Sequence, residues 1–365
     1  MTQAPPLVVR FGAFGDTVLL TPLLHALAVR WRQPVDLLSS GPWTPQLLAH
    51  NPHVRHIQMV SSRKAPYWLT PSQWRAVAWL KTRGTGPVYF CERDPEGLDL
   101  LARAEIPASH IDRPWNDWPG ESIHWADWWL DVAQRTPPGL QAAPQLPAGS
   151  IPPRPALFIS ESSRQACEQW LKAHHWHLDP LVLVQAGHKK THKRGQLGTS
   201  NHAKHWPPEH WAQVIRGVRH FLPQSRILMC GSPREHGLAQ KIIDHTGEKR
   251  VHNLTKELPI DRLLPLAERA HSMISVDTGP AHAAGAVDCP LVVLYSIFGA
   301  ERWRPRPPTS PVMTLGGDQG GASRLTDISP EAVLAQWQTL CQVAKRPRNH
   351  ENRLEKADPK GKKAP

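Results

Sequence analysis

Cysteine is scarce in this 365-residue chain: five residues, at 91, 167, 230, 289 and 341, far apart and never in a C-x-x-C pair. That argues against a zinc ribbon and a disulfide framework, and fits reduced thiols in a reducing compartment. Long apolar runs are also missing. None reaches the ~18–20 residues that a membrane helix needs. Residues 1–10 lack a basic stretch followed by a long apolar one, so no signal peptide is expected. Acidic residues are outnumbered, 31 Asp and Glu against 43 Lys and Arg, a net charge of +12. Such an excess suits an anionic partner: nucleic acid, an acidic membrane surface, or a phosphorylated or carboxylated substrate.

With 40% apolar and 20% charged residues, the chain can build packed cores, and its length suits two domains. Proline is abundant, and seven of the nineteen residues of 137–155 are proline. Such a stretch continues neither helix nor central strand, so a linker is expected there. Residues 345–363 hold eight Lys/Arg against three Asp/Glu with no apolar periodicity, which reads as a solvated basic tail. A tail of this kind solubilises the chain or rests on anionic headgroups. The 16 tryptophans fall in clusters such as Trp125, Trp128 and Trp129, at a spacing that suits helix packing.

Short apolar runs mark strands at 7–11, 35–38, 54–60 and 88–91, then at 181–185, 226–230, 273–276 and 291–295. Helical patterns lie between them, at 22–31 and 73–80, then at 208–221, 235–246, 260–270 and 280–286. Strand–helix alternation of this kind predicts two parallel sheets covered by helices. The expected division is 1–155, 156–344 and a tail of 345–365.

Three segments carry chemistry. The first is Phe11-Gly12-Ala13-Phe14-Gly15-Asp16-Thr17, after the opening strand. Its glycines allow a tight turn, and Asp16 either faces a cleft at the strand's carboxyl end or caps the helix. Thr21-Pro22 resembles an N-cap with proline at the first helical position. The second is Ser275-Val276-Asp277-Thr278-Gly279-Pro280-Ala281-His282. Here a buried strand ends, Gly279 makes the turn, and the helix start offers amides to a phosphate. Asp277 holds this loop or meets a ribose hydroxyl, and His282 can donate to a phosphate oxygen. The third runs from Gly187 to Trp211 and carries Lys189, Lys190, Lys193, Arg194 and Lys204 with His188, His192, His202 and His205. No cysteine or acid joins those histidines, so phosphate contact fits better than zinc. Glu235, after a further strand, either accepts from sugar hydroxyls or sits at a helix N-terminus.

Arg10 to Asp16 with Thr21-Pro22-Leu23, then Lys204-His205-Trp206-Pro207, then Val276 to His282 resemble the motifs of glycosyltransferase family 9, the ADP-heptose:lipopolysaccharide heptosyltransferases. The resemblance runs in order over residues 7–340. It implies an α/β GT-B fold, two Rossmann-like doubly wound domains facing a central cleft, acceptor on the first and nucleotide sugar on the second. It implies inverting transfer of a heptose from ADP-heptose to the lipopolysaccharide inner core in the cytoplasm or at the inner face of the inner membrane, with no obligatory metal or other cofactor. By the same resemblance Asp16 is the general base. Lys204 meets the donor diphosphate, Glu235 lies near the donor ribose, and Asp277, Thr278, Gly279 and His282 form the donor loop. Arg63 and Lys64, after the third strand, suit an anionic acceptor. Two departures stand out: 189–201 is long and basic, and Ser296-Ile297-Phe298-Gly299 replaces an aromatic-Gly-Pro-Thr segment. Other readings are a GT-B enzyme with a different nucleotide sugar, such as an epimerase, and a basic nucleic-acid-binding protein. For the last, no RRM, zinc-finger or helix-turn-helix pattern is found, so no nucleic-acid partner is expected.

Overall fold

The computed structural model describes residues 4–344 except 63, 121–122, 189–191, 194–195, 198–202, 297–298 and 318–323. In the first half, β1 (Leu7–Val9), β2 (Val35–Ser39), β3 (Val54–Met59), β4 (Val88–Phe90) and β5 (Ile111–Asp112) alternate with α1 (Phe14–Leu19), α2 (Thr21–Trp31), α3 (Thr44–Leu48), α4 (Pro71–Thr82) and α5 (Leu98–Arg103); α6 (Trp125–Ala133) follows. The second half begins with α7 (Glu161–Ala173) and β6 (Leu181–Gln185), then a short hairpin of β7 (His192–Lys193) and β8 (Gln196–Leu197). It continues through α8 (Pro208–Phe221), β9 (Arg226–Met229), α9 (His236–Thr246), β10 (Val251–Asn253), α10 (Ile260–Arg269), β11 (Ser272–Val276), α11 (Gly279–Ala286), β12 (Leu291–Tyr295), α12 (Ala300–Trp303), β13 (Val312–Gly316) and α13 (Pro330–Val343).

Two parallel sheets result, ordered β3-β2-β1-β4-β5 and β10-β9-β6-β11-β12-β13. Strands covered on both faces lose all water contact, so their apolar runs are continuous: every residue of β1, β4, β6 and β12 is buried. Asp36, buried in β2, is the charged exception; Arg55 grips it at 2.9 and 2.7 Å and Arg83 at 3.1 Å. Each sheet reverses direction once, between β1 and β4 and between β6 and β11. In an open parallel sheet the crevice for a ligand lies outside the carboxyl ends at that reversal.

The segment 137–155 contains neither helix nor strand. Arg30 of α2 ties it to the end of α6, donating to the carbonyls of Ala143 and Pro144 in the segment and to those of Ala133 and Arg135 and the Thr136 hydroxyl before it. Thr21 and Pro22 are the first two residues of α2, and Leu20 precedes them as its cap. The expected Thr21 cap is therefore corrected. Its hydroxyl donates to the Val18 carbonyl at 2.8 Å and accepts the Ala156 amide at 3.0 Å. Ser329 caps α13, its hydroxyl accepting the Ala332 amide at 3.1 Å.

The halves also meet through α6. Trp125 lies 5.1 Å from Trp303, and Asp127 takes both Nη atoms of Arg306 at 2.8 Å. Trp115, Trp118, Trp125, Trp128 and Trp129 stack around this point, and Trp125, Trp128 and Trp129 are buried. All five cysteines are free thiols. No helix among the described residues is long and apolar enough to cross a membrane.

Candidate active site in the cleft between the two sheets

The loop leaving β1 turns at once into α1, and Asp16 stands in that helix's first turn. Its Oδ2 accepts the Ala13 amide at 2.7 Å, and its Oδ1 lies 3.4 Å from Arg10 Nη2. Cap and cleft carboxylate are thus one side chain, 22% exposed. Gly12 makes room for it, since a Cβ there would come within 2.5 Å of Asp16 Cβ. Arg10 is held in turn by the Cys91 carbonyl at 2.7 Å and by Glu92 Oε1 at 3.5 Å, and its guanidinium lies over the Trp129 ring. Glu92 also accepts the Phe11 amide at 2.6 Å. Arg10 and Glu92 follow β1 and β4, the two strands at the reversal of the first sheet.

Asp277 follows β11, at the reversal of the second sheet. Lys204 Nζ donates to its Oδ2 at 2.6 Å and to its carbonyl at 3.1 Å, and His282 Nε2 lies 3.6 Å from Oδ1. Burial alone would push the Asp277 carboxyl up. The hydrogen bond from His282 and the Lys204 ammonium outweigh it and hold the group at about 2. Asp277 is therefore an anion gripped by two basic groups. His282 Nδ1 is buried and has no hydrogen-bond partner among the described residues.

Thr278 is the buried N-cap of α11, with Gly279 at the first helical position and Pro280 at the second. Gly279 was expected to make the turn. It is absent from the glycines with positive φ, so the turn does not require it. What requires it is proximity: a Cβ there would lie 2.5 Å from Phe14 Cδ1, in α1 of the other half. Gly15 is constrained in the same way, its Cβ position 3.0 Å from His282 Cδ2. The N-terminal ends of α1 and α11 therefore abut across the cleft, and the Asp16 turn and the Lys204–Asp277–His282 cluster are neighbours. The positive end of the α11 dipole adds to the basic groups there.

Glu235 belongs to the ends of β6 and β9. Its Oε1 accepts Gln185 Nε2 at 2.9 Å, and its Oε2 accepts the Ser232 amide and hydroxyl, each at 2.7 Å. Both oxygens are thus engaged within the chain. Lys64 is exposed and lies 3.3 Å from Glu96 Oε1; the next residue, Gly97, packs under the Phe11 ring. Lys64 therefore shares the carboxyl edge of the first sheet with the Asp16 loop. Arg63, most of the basic loop and the tail 345–365 lie outside the described residues. Among the described residues, no three His, Cys, Asp or Glu groups gather as metal ligands do.

Two facing domains of this topology define the GT-B class. A solved family 9 glycosyl transferase from Veillonella parvula superposes with a TM-score of 0.72 at 17% identity, covering 93% of this chain and 97% of that one. The Escherichia coli ADP-heptose lipopolysaccharide heptosyltransferase II gives 0.69 at 18% identity, covering 92% and 98%. Residues 153–322 match glycosyltransferase family 9 (heptosyltransferase), so the resemblance found in the motifs extends through the second sheet. Lipopolysaccharide heptosyltransferase 2 of Salmonella typhimurium is 26% identical over 151 residues, 38% of this chain and 43% of that protein. The chain spans less than half the length of the curated relatives it matches.

Proposed function

We propose that this protein is an inverting glycosyltransferase that moves a heptose from ADP-heptose to the inner core of lipopolysaccharide. The observation that carries the proposal is the abutment of the two helix ends, which sets a carboxylate from one sheet beside a basic, phosphate-suited cluster from the other. Asp16 Oδ1 takes the proton of the acceptor hydroxyl as its oxygen attacks the anomeric carbon. The bond to ADP breaks on the opposite face, so configuration inverts. Arg10 fixes the Asp16 carboxylate through its contact with Oδ1. Lys204, His282 and the α11 N-terminus stabilise the charge that grows on the departing diphosphate. Thr278 and Gly279 line that end, and Asp277 aims Lys204 and His282. Glu235, held by Gln185 and Ser232, borders the ribose end. Lys64, with Arg63, meets the anionic acceptor. This scheme uses no metal or other cofactor and takes place on the cytoplasmic side of the inner membrane.

Thermal melts in ADP, UDP and GDP, each free and as a sugar conjugate, test the reading. ADP and ADP-heptose should raise the melting temperature; a ligand at 100 times its Kd stabilises by about 2.7 kcal/mol. A shift with UDP or GDP and none with ADP would overturn the donor. Transfer from labelled ADP-heptose to a heptose-deficient lipopolysaccharide then tests the reaction.

A further inference from the structure

Seven large apolar side chains are well exposed among the described residues, and three of them fall within seven positions: Trp68 at 70%, Leu69 at 59% and Trp74 at 46%. Single exposed apolar groups are ordinary, whereas a cluster marks a surface with a partner. The cluster is not loose chain. The Ser61 amide donates to Ser72 Oγ at 2.9 Å, and Gln73 Nε2 donates to the Ser62 and Ala65 carbonyls at 2.7 and 3.1 Å. Thr70 closes the turn on the Pro66 carbonyl, and Trp74 Nε1 donates to the Tyr67 carbonyl at 2.7 Å. Arg103 covers the Tyr67 ring at 4.2 Å. The first turn of α4 thus braces a tip that holds Trp68 and Leu69 outward, against the hydrophobic effect.

Basic groups rim the tip: Lys64, Arg75 and Arg103. The acids nearby, Glu96 and Asp99, are paired with Lys64 and Arg103, so among the described residues these two acids do not stand uncompensated against an anionic surface. Indole rings and an aliphatic group among basic side chains match the headgroup zone of a bilayer, where the ring sits below the phosphates and the cations beside them. We infer that residues 66–75 are a membrane-docking tip that seats Trp68, Leu69 and Trp74 among anionic lipid headgroups. The tip leaves the carboxyl end of β3, on the edge that carries Lys64 and the Asp16 loop. Docking there brings the cleft's acceptor side to headgroup level. Only that last consequence rests on the proposed transfer reaction.

Sedimentation of the full chain with phosphatidylcholine vesicles, with and without phosphatidylglycerol, tests the tip. The protein should bind the anionic vesicles, and salt should weaken binding. Trp68→Ser/Leu69→Ser, which removes no described side-chain contact, should lower affinity about tenfold or more. Arg75→Glu should do the same on anionic vesicles only, a reversal of charge at about 1 kcal/mol per charge. Absence of binding, or wild-type binding by both variants, overturns the inference. So does light scattering that shows a dimer abolished by Trp68→Ser/Leu69→Ser while vesicle binding persists, which would make the tip a self-association surface. ADP-dependent melting of the same variants should stay at the wild-type value. Its failure in every protein would count against the donor reading and not against the tip.

Discussion

Lys204 stands between the Asp277 carboxylate and the site proposed for the diphosphate, so its removal has two effects. Lys204→Ala deletes a charged hydrogen bond to phosphate, worth roughly 1.5–3 kcal/mol. It also uncovers Asp277, which Lys204 now touches at 2.6 Å. For a phosphate oxygen taken to lie about 5 Å from that carboxylate, and an effective dielectric of about 20, the repulsion would be about 3 kcal/mol. The single variant should therefore lose about 10³- to 10⁴-fold in ADP affinity. Lys204→Ala/Asp277→Asn keeps the lost attraction and cancels the repulsion, so it should bind only about 10- to 100-fold more weakly than wild type. Calorimetric titration of ADP at fixed pH and salt measures all three proteins, after melting curves show that each is folded. A double variant as weak as Lys204→Ala would mean that Asp277 does not face the diphosphate. Wild-type affinity in both variants would remove Lys204 from the donor site.

Asp16→Asn preserves an acceptor for the Ala13 amide, so melting should change little while transfer falls by about 10²–10⁴, measured with labelled donor; full activity would leave Asp16 a helix cap alone. Turnover should be nearly the same in EDTA, and loss that Mg²⁺ restores would contradict the metal-free scheme. Gly279→Ala drives a methyl to within 2.5 Å of Phe14 Cδ1 and should cost about 1–3 kcal/mol in urea unfolding, with Phe14→Ala relieving much of it. Asp277 titrates in the folded chain at about 2, below its ordinary value. Its contribution, about 2 kcal/mol, is complete above about pH 4 and is lost as the pH falls toward 2. The stability gap between wild type and Asp277→Asn should be flat from pH 7 to 5 and shrink below pH 4; a gap that widens in acid would refute the pairing.

Strands buried on both faces were legible because their apolar runs are unbroken: β6 and β12 match the expected ranges end to end. In the two large sheets the strands that the pattern passed over, β5, β10 and β13, are all at the edges, and the short β7–β8 hairpin was passed over as well. An edge strand is only partly covered, and Val-His-Asn or Ile-Asp has no continuous apolar run to signal it. At the site, turn chemistry marked Asp16 and Asp277, because each acid follows a strand and opens a helix. Arg10 and Glu92 carried no such mark. They are 82 positions apart, and only the pairing of β1 with β4 brings them together. Gly279 was noticed for the wrong reason, since a glycine kept for a neighbour's ring looks the same in sequence as one kept for a turn. The engagement of Glu235 with Gln185 depends on β6 and β9 lying side by side, which periodicity does not reveal.

The paired indoles of Trp125 and Trp303 have an optical consequence. Rings 5.1 Å apart, tilted by 49°, share their excited states, and such a pair gives circular dichroism a signed couplet whose size falls steeply with separation. One ring belongs to a helix of the first half and the other to a helix of the second. Trp115, Trp118 and Trp129 lie about as close to Trp125, so the share that spans the two halves is the difference between the spectra of wild type and Trp303→Phe, and any nucleotide that changed the distance between the halves would change that difference.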